Sequence, residues 1–158
     1  MSEKDAFFQK VEANNNAQKE GEEAFKRDVL AFQEDTKNLI QEIKGWFAGS
    51  PVTASVSTTQ VVENTDRFEV PNLTLKNGSK TLTINPEGFY SVGVTGSLEV
   101  SIHNPSRAPG TSKFSIHWKD SVSKISGWVI VCGGVGNNPV QRIEFNQDNF
   151  FKMISAFA

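Results

Sequence analysis

The residues of this chain that could carry acid–base chemistry are few. His103 and His117 are the only histidines, and Glu99 lies close to them in the sequence. If residues 98–103 and 113–119 pair as antiparallel strands, Glu99 can approach His117 and form a carboxylate–imidazole pair suited to proton transfer. A surface cross-strand pair is the better interpretation, because neither a nucleophile nor a group of metal ligands accompanies it. We therefore retain Glu99 and His117 only as weak acid–base candidates.

Other motifs with catalytic potential are also incomplete. Cys132 is the only cysteine, so neither an intramolecular disulfide nor a cysteine-rich zinc site can form. Residues 133–136 read Gly-Gly-Val-Gly, but they lack the lysine of a phosphate-binding loop and the third spaced glycine of a dinucleotide-binding loop. The serines form no Gly-x-Ser-x-Gly motif. We predict no catalytic residues, no metal site, no cofactor and no enzyme activity.

Length and charge restrict the class of protein further. A chain of 158 residues can enclose one core, so we expect a single domain with an appendage. The formal net charge is -2, which is not the basic excess of a nucleic-acid-binding protein, and no nucleic-acid partner is predicted. No segment approaches the roughly 20 apolar residues of a transmembrane helix, and the N-terminus lacks the apolar region of a signal peptide. We expect a cytoplasmic location, although export without a signal peptide would leave the same sequence.

A long amphipathic helix is predicted near the N-terminus, where residues 1–48 form a helical arm. Apolar residues recur there at alternating spacings of four and three, which is the pattern of a helix packed on one side, and residues 25–47 are expected to dock on the sheet. Gly49, followed by Pro51, is expected to end the helix. Asn14 to Asn16 and Gly21 favour a break or bend near residues 14–21. The stripe comprises Phe25, Val29, Phe32, Thr36, Leu39, Ile43 and Trp46.

The first twenty residues are predicted to form a contact surface. Residues 25–47 would be roughly 34 Å long at about 1.5 Å per residue, which matches the width of a sheet of about seven strands. Phe7, Phe8 and Val11 would then extend beyond the sheet as an exposed apolar cluster, and such clusters usually mark contact sites. These three residues should either fold back at a bend near residues 14–21 or bury against another chain. We expect the second outcome, with a different protein or a second copy as the partner and antiparallel arms as the simplest form.

Residues 52–158 are predicted to form an antiparallel β domain. Asn77-Gly78 is typical of a two-residue hairpin turn, with Lys76 facing Ser79. A second turn is expected at residues 85–88, and a three-residue turn at residues 95–97. Residues 126–132 are apolar on both faces, which predicts the most central strand. The residues expected to be nearly inaccessible are Leu82, Val100, Trp128 and Ile130.

Together these elements predict an α+β, mainly β fold. It consists of an antiparallel sheet or sandwich of about six to eight strands, with the long N-terminal helix and a short C-terminal helix at residues 146–157 packed on it. The favoured function is a non-enzymatic protein-binding module, and by fold-level analogy it resembles bacterial immunity, adaptor or accessory proteins. The alternative is a β-sandwich that binds a small ligand, a carbohydrate or a lipid surface through its loops, with Arg107, Asn137 and Asn138 as ligand contacts.

Overall fold

Seven antiparallel strands form one sheet in which every strand pairs with its neighbours in the chain. The computed structural model describes residues 2–63, 66–91, 94–120, 125–133 and 139–158. A long helix at the N-terminus and a short one at the C-terminus confirm the predicted α+β, mainly β fold. The elements are α1 (Glu3–Trp46), β1 (Thr53–Glu63), β2 (Asp66–Asn77), β3 (Lys80–Ser91), β4 (Val94–His103), β5 (Thr111–Trp118), β6 (Val129–Cys132), β7 (Gln141–Glu144), α2 (Gln147–Met153) and a final 3-10 helix (Ser155–Phe157).

One face of the sheet carries the hydrophobic core. Cross-strand partners such as Leu75 and Leu82 point to the same side, and both are fully buried. The stripe of α1 joins them in a single apolar cluster, as does Phe150 of α2. Burial of this kind contributes about 1.5–3 kcal/mol for each large apolar side chain. The fully buried residues that α1 contributes to the cluster include Phe32, Ile40 and Ile43.

The long helix α1 is continuous from Glu3 to Trp46, so of the break or bend expected near residues 14–21 the break is absent. The Ser2 hydroxyl accepts a hydrogen bond from the backbone N–H of Asp5, whose carboxylate in turn accepts one from the Ser2 backbone. Asparagine and Gly21 lower helix propensity by up to about 1 kcal/mol each, but neither removes a backbone hydrogen bond as proline would. The capped turns before this segment and the docked turns after it therefore stabilise α1 enough to offset the unfavourable helix propensity in its middle.

The turn between β2 and β3 lies one residue later than predicted. Asn77 pairs with Lys80, so Gly78 and Ser79 form the turn, and the expected pairing of Lys76 with Ser79 was wrong. Gly78 has a φ of 61° at the first central position, which suits the glycine of a type II′ turn. The observed pairing register of β2 and β3 differs from the predicted one by two residues. Because side chains alternate between the faces with a period of two, Leu75 still faces the core together with Leu82.

The two turns expected at residues 85–88 and 95–97 are both inside strands. The ladder between β3 and β4 continues to the pair Ser91–Val94, and the irregularity between Pro86 and Gly88 is a bulge. Gly96 lies within β4, where it pairs with Trp118 of β5, and Phe32 of α1 packs so closely against it that a Cβ atom there would be 2.6 Å from the Phe32 ring. A glycine that the sequence suggests as a turn residue serves here as a site of close packing.

The segment predicted as the central strand lies near an edge of the sheet. β6 is next to the last strand, and β4 holds the middle position. Val129 and Ile130 project to opposite faces, yet both are fully buried, so burial on both faces does not identify the central strand here. Trp128 precedes β6 and is only half-buried, with its ring centroid 6.3 Å from that of Phe32, so the prediction that it is inaccessible was wrong. The same prediction is confirmed for Leu82, Val100 and Ile130.

Candidate functional site

The first half of α1 is a helical arm whose side chains are all exposed. This exposed part of the predicted arm comprises residues 3–23, is called the arm from here on, and is about 31 Å long at about 1.5 Å per residue. Phe7 is 63% exposed, Phe8 55% and Val11 39%. The Phe7 and Phe8 rings contact each other edge to face, with centroids 5.6 Å apart. The three residues predicted as a contact site therefore form an apolar cluster near the free end of the arm.

The arm continues the same face of α1 that packs on the sheet. Counting back from Val29 and Phe25 in steps of four and three leads through Glu22, Gln18 and Asn15 to Val11 and Phe8. Residues with this spacing share one side of a helix. The apolar cluster thus faces the same side as the docked stripe, with a polar stretch between them. This sequence pattern alone predicts the alignment for a continuous helix, whereas a break or bend near residues 14–21 would have interrupted it.

A groove lies where the arm meets the body of the protein. Its volume is about 980 Å³, and it is bounded by α1 on one side and the start of β2 on the other. Phe25 and Leu30 provide apolar surface on the helix, and Leu30 is 66% exposed. Phe68 provides it on the strand. The lining residues on α1 are Gln18, Gly21, Glu22, Phe25, Lys26, Val29 and Leu30, and those on β2 are Asp66, Arg67 and Phe68.

The contacts that hold the strand side of the groove against α1 include a ring pair and a hydrogen bond. The Phe25 and Phe68 rings meet edge to face with centroids 6.5 Å apart, and the Gln33 side chain donates a 2.8 Å hydrogen bond from Nε2 to the Glu69 carbonyl. Residues 66–72 of β2 pair with β1 only, because pairing with β3 begins at Leu73. The start of β2 therefore separates from β3, which continues beside β4, and it lines the groove next to α1. The Phe25–Phe68 and Gln33–Glu69 contacts join residues about forty positions apart, so no local pattern in the sequence predicts them.

The two weak acid–base candidates lie on the polar face of the sheet. Glu99 is opposite Ser115 and His117 is opposite Ser97, so the two candidates occupy diagonal positions on neighbouring strands. Cα atoms at diagonal positions are typically about 7–8 Å apart. Glu99 instead forms an ion pair with Lys113, at 3.5 Å between Nζ and Oε1. Both side chains of this pair are partly exposed, so the pair contributes little to stability.

Two groups on this polar face have shifted pKa values. Burial lowers the pKa of His117, with Asp120 opposing the shift and Arg142 adding to it. Among the described residues, the buried Nδ1 atom of His117 has no hydrogen-bond partner. Burial, followed by the nearby Glu99 carboxylate, raises the pKa of Glu87, whose Oε2 accepts a 3.2 Å hydrogen bond from the Ser97 hydroxyl. His117 and Glu87 are therefore titratable groups with shifted pKa values on this face, but they do not form a nucleophile–base pair.

The loop candidates are only partly described. Arg107 is exposed and lines a cavity of about 120 Å³ in the loop after β4. This is smaller than the roughly 300–1,000 Å³ of typical small-molecule sites. Asn104 fixes the loop from inside: its Nδ2 donates to the Ala156 carbonyl at 3.0 Å, and its Oδ1 accepts from the Ser106 N–H. Asn137 and Asn138 lie outside the described residues.

Neither grouped metal ligands or a membrane-spanning helix among the described residues, nor similarity to known proteins, indicates a ligand or a family for this chain. In the part of the chain that the structure describes, no three His, Cys, Asp or Glu side chains are grouped as metal ligands. The described helices include none with the length and apolar character needed to cross a membrane. No protein-family model, curated protein or solved structure matches the chain.

Proposed function

We propose that this protein is a non-enzymatic protein-binding module that uses its helical arm as the contact surface. The observation that carries this proposal is the exposed cluster of Phe7, Phe8 and Val11 on a helix whose first 21 residues are all exposed. Large aromatic side chains are enriched in the buried centres of protein interfaces and are uncommon on free surfaces.

The form of the arm supports a protein as its partner. An amphipathic helix binds proteins by laying its apolar side into a groove or against another helix, and anchors at spacings of three and four residues are typical of this mode. Covering both phenylalanines would stabilise a complex by about 1.5–3 kcal/mol for each ring before the costs of association. Because α1 is already helical through its docked half, binding would require little further ordering of the backbone.

The structure offers a matched pair of variants to test this function. Phe7→Ser plus Phe8→Ser removes the apolar cluster from the arm. Val62→Ser plus Val140→Ser removes two valines that are 55% and 51% exposed on the body. Each full-length protein, tagged at its C-terminus, is used for affinity capture from its source cells, and its melting temperature is measured in parallel.

The proposal predicts a specific pattern in that experiment. The arm variant should lose the captured partner, which can be another protein or an untagged second copy, while the valine variant should keep it. Both variants should retain the melting temperature of the native protein to within about two degrees, since exposed substitutions change stability by less than about 0.5 kcal/mol. Equal capture by the arm variant and the native protein would refute the arm as the contact surface.

A further inference from the structure

We infer that the arm of a second copy of this chain occupies the groove, aligned antiparallel to the first arm. In this arrangement Phe8 of each copy packs against Phe25 of the other, beside Phe68. The inference rests on the proposed protein-binding function of the arm and specifies its partner. A C2-symmetric pair of this kind has two equivalent contacts and leaves no further copy-binding surface open.

The spacing along α1 makes such a helix pair possible. From Phe8 onwards, one side of the helix follows a seven-residue repeat, which is the pattern of two-stranded coiled coils. The first position of the repeat is Phe8, Asn15, Glu22 and Val29, and the fourth is Val11, Gln18, Phe25 and Phe32. From Val29 onwards this side is buried by the protein's own sheet, whereas before Phe25 it is exposed. The exposed part therefore has the sequence pattern of one helix of a two-stranded coiled coil, and a partner helix would complete it.

An antiparallel alignment gives each residue of this side a compatible neighbour. With Phe8 of one copy opposite Phe25 of the other, Asn15 lies opposite Gln18, and these two amides can hydrogen-bond at the centre of the pair. Val11 lies opposite Glu22, whose aliphatic carbons can cover it while the carboxylate reaches solvent. Symmetry gives two such amide layers at the centre and a Phe8–Phe25 layer at each end, and polar residues at core positions help to fix the register of a helix pair.

The charges beside this apolar side favour the same alignment. Asp5 and Lys26 lie on the same edge of the helix, as do Glu12 and Lys19. In the antiparallel register Asp5 of one copy approaches Lys26 of the other, and Glu12 approaches Lys19. Symmetry repeats both pairs, which gives four contacts between opposite charges. Lys26 also lines the groove, so one of these contacts lies at the groove itself.

Other alignments of the two arms are less favourable. Parallel arms would place Glu22 against Glu22 in the interface, which is repulsive. An antiparallel overlap shorter by one repeat would place Phe8 against Gln18 and bring Glu12 against Glu12. An overlap longer by one repeat would require Phe8 to reach Phe32, which is fully buried by the protein's own core. Of these alignments, the one that places Phe8 against Phe25 has complementary contacts, and it brings the end of each arm to the groove of the other copy.

Cross-linking of two single-cysteine variants tests the register. The variants are Asp5→Cys and Lys26→Cys, each made in the full-length chain with Cys132→Ser so that no other thiol remains. A short bis-maleimide should join the two variants when they are mixed and should join neither variant to itself. In the inferred pair, the two copies of position 5 would be about 34 Å apart along the axis and the two copies of position 26 about 28 Å apart, at about 1.5 Å per residue.

The outcomes of this experiment separate the alternatives. Both substituted positions are exposed, so complete labelling by a monofunctional maleimide will show that the thiols are accessible. Efficient cross-linking only in the mixture supports the inference. Cross-linking of each variant to itself would indicate parallel arms and overturn it, as would accessible thiols that give no cross-link in any combination.

Charge reversal provides an independent test of the same register. Lys19→Glu replaces two attractions between Glu12 and Lys19 by two repulsions, so the dimer dissociation constant measured by sedimentation equilibrium should rise about tenfold. Glu12→Lys should have the same effect, and the double variant with both changes should restore the native affinity. A double variant as weak as the sum of the single ones would overturn the inference. If the arms do not pair but Phe7 and Phe8 are still required to capture another protein, this inference fails while the proposed function stands.

Discussion

Replacement of Gly96 by alanine tests whether α1 packs on β4 as described. A Cβ atom at this position would lie 2.6 Å from Cε1 and 2.8 Å from Cδ1 of Phe32, both closer than carbon atoms can approach. The Phe32 ring is fully buried and also contacts Trp118, with centroids 5.2 Å apart. Because the ring is fully buried, the new methyl group must displace the ring, the helix or the strand.

The size of the effect follows from the cost of overpacking. Extra atoms in a well-packed core typically cost 1–3 kcal/mol, so Gly96→Ala should reduce the free energy of unfolding by about 2 kcal/mol. Phe32→Ala alone should cost about 3–5 kcal/mol, since it empties the site of a large buried ring. In the double variant the methyl group enters the vacated space, and the cost of Gly96→Ala should fall to about zero. The two substitutions should therefore be non-additive by roughly 2 kcal/mol.

Urea denaturation followed by tryptophan fluorescence measures all three variants, because Trp118 and Trp128 lie next to the Phe32 ring. Gly45→Ala is the matched control: this glycine lies in α1 with no atom within 4 Å of a new Cβ. That control should raise stability by about 0.5–1 kcal/mol, the usual gain from alanine within a helix. An unchanged midpoint for Gly96→Ala, or an equal cost in the presence and absence of Phe32, would refute the described packing of α1.

Three further predictions concern other contacts. Asp35→Ala removes the carboxylate that accepts a 2.8 Å hydrogen bond from the Trp118 indole, so thermal unfolding should show a loss of about 1–3 kcal/mol, whereas Asp35→Asn should recover much of it. Burial lowers the pKa of His117, so the unfolded chain binds more protons than the folded one just below pH ~6.5. The protein with His117 should therefore lose free energy of unfolding relative to the His117→Gln variant as pH falls from about 7 to about 5. A difference in free energy of unfolding that does not change with pH would contradict this. Gly21→Ala, which meets no neighbouring atom, should slow amide hydrogen exchange across residues 14–23, and unaltered exchange would contradict a continuous helix there.

The stripe of α1 and most strands could be predicted because their signals are local. The spacing of Phe32, Leu39 and Ile43 identifies a helix face whatever covers it, and these residues are buried in the core. Alternation from Phe114 to Trp118 likewise identifies a strand with one buried face, as observed in β5. Such patterns reflect the geometry of the backbone, which is the same in every protein.

The errors arose where a residue responds to a distant part of the chain. Gly96 resembles a turn residue, but it pairs within β4, and the Phe32 ring occupies the space that a side chain there would need. The bulge between Pro86 and Gly88 keeps β3 continuous where those residues suggest a turn. Trp128 carries the apolar character of a core residue, but it precedes β6 and stays half-buried. In each case the tertiary contact overrides the local preference.

The candidate site was predictable in part. The exposed cluster at Phe7 and Phe8 follows from lengths alone, because a helix that outruns its sheet leaves its first turns uncovered. The groove could not be foreseen, since it requires the β1–β2 hairpin to reach α1 through the contact of Phe68 with Phe25. That contact depends on the twist and length of the hairpin, and no local sequence pattern predicts them.

Photo-cross-linking at position 8 tests the protein-binding role of the arm most directly. A photoreactive phenylalanine analogue placed at Phe8, which is 55% exposed, reacts with whatever covers that side chain in the source cell. The same analogue at Val140, which is 51% exposed on the body, is the control. A covalent adduct with a protein, either a second copy or a different chain, should form from position 8 and be absent or weaker from position 140. A folded protein that gives no adduct from position 8, or equal adducts from both positions, would contradict the role of the arm in binding.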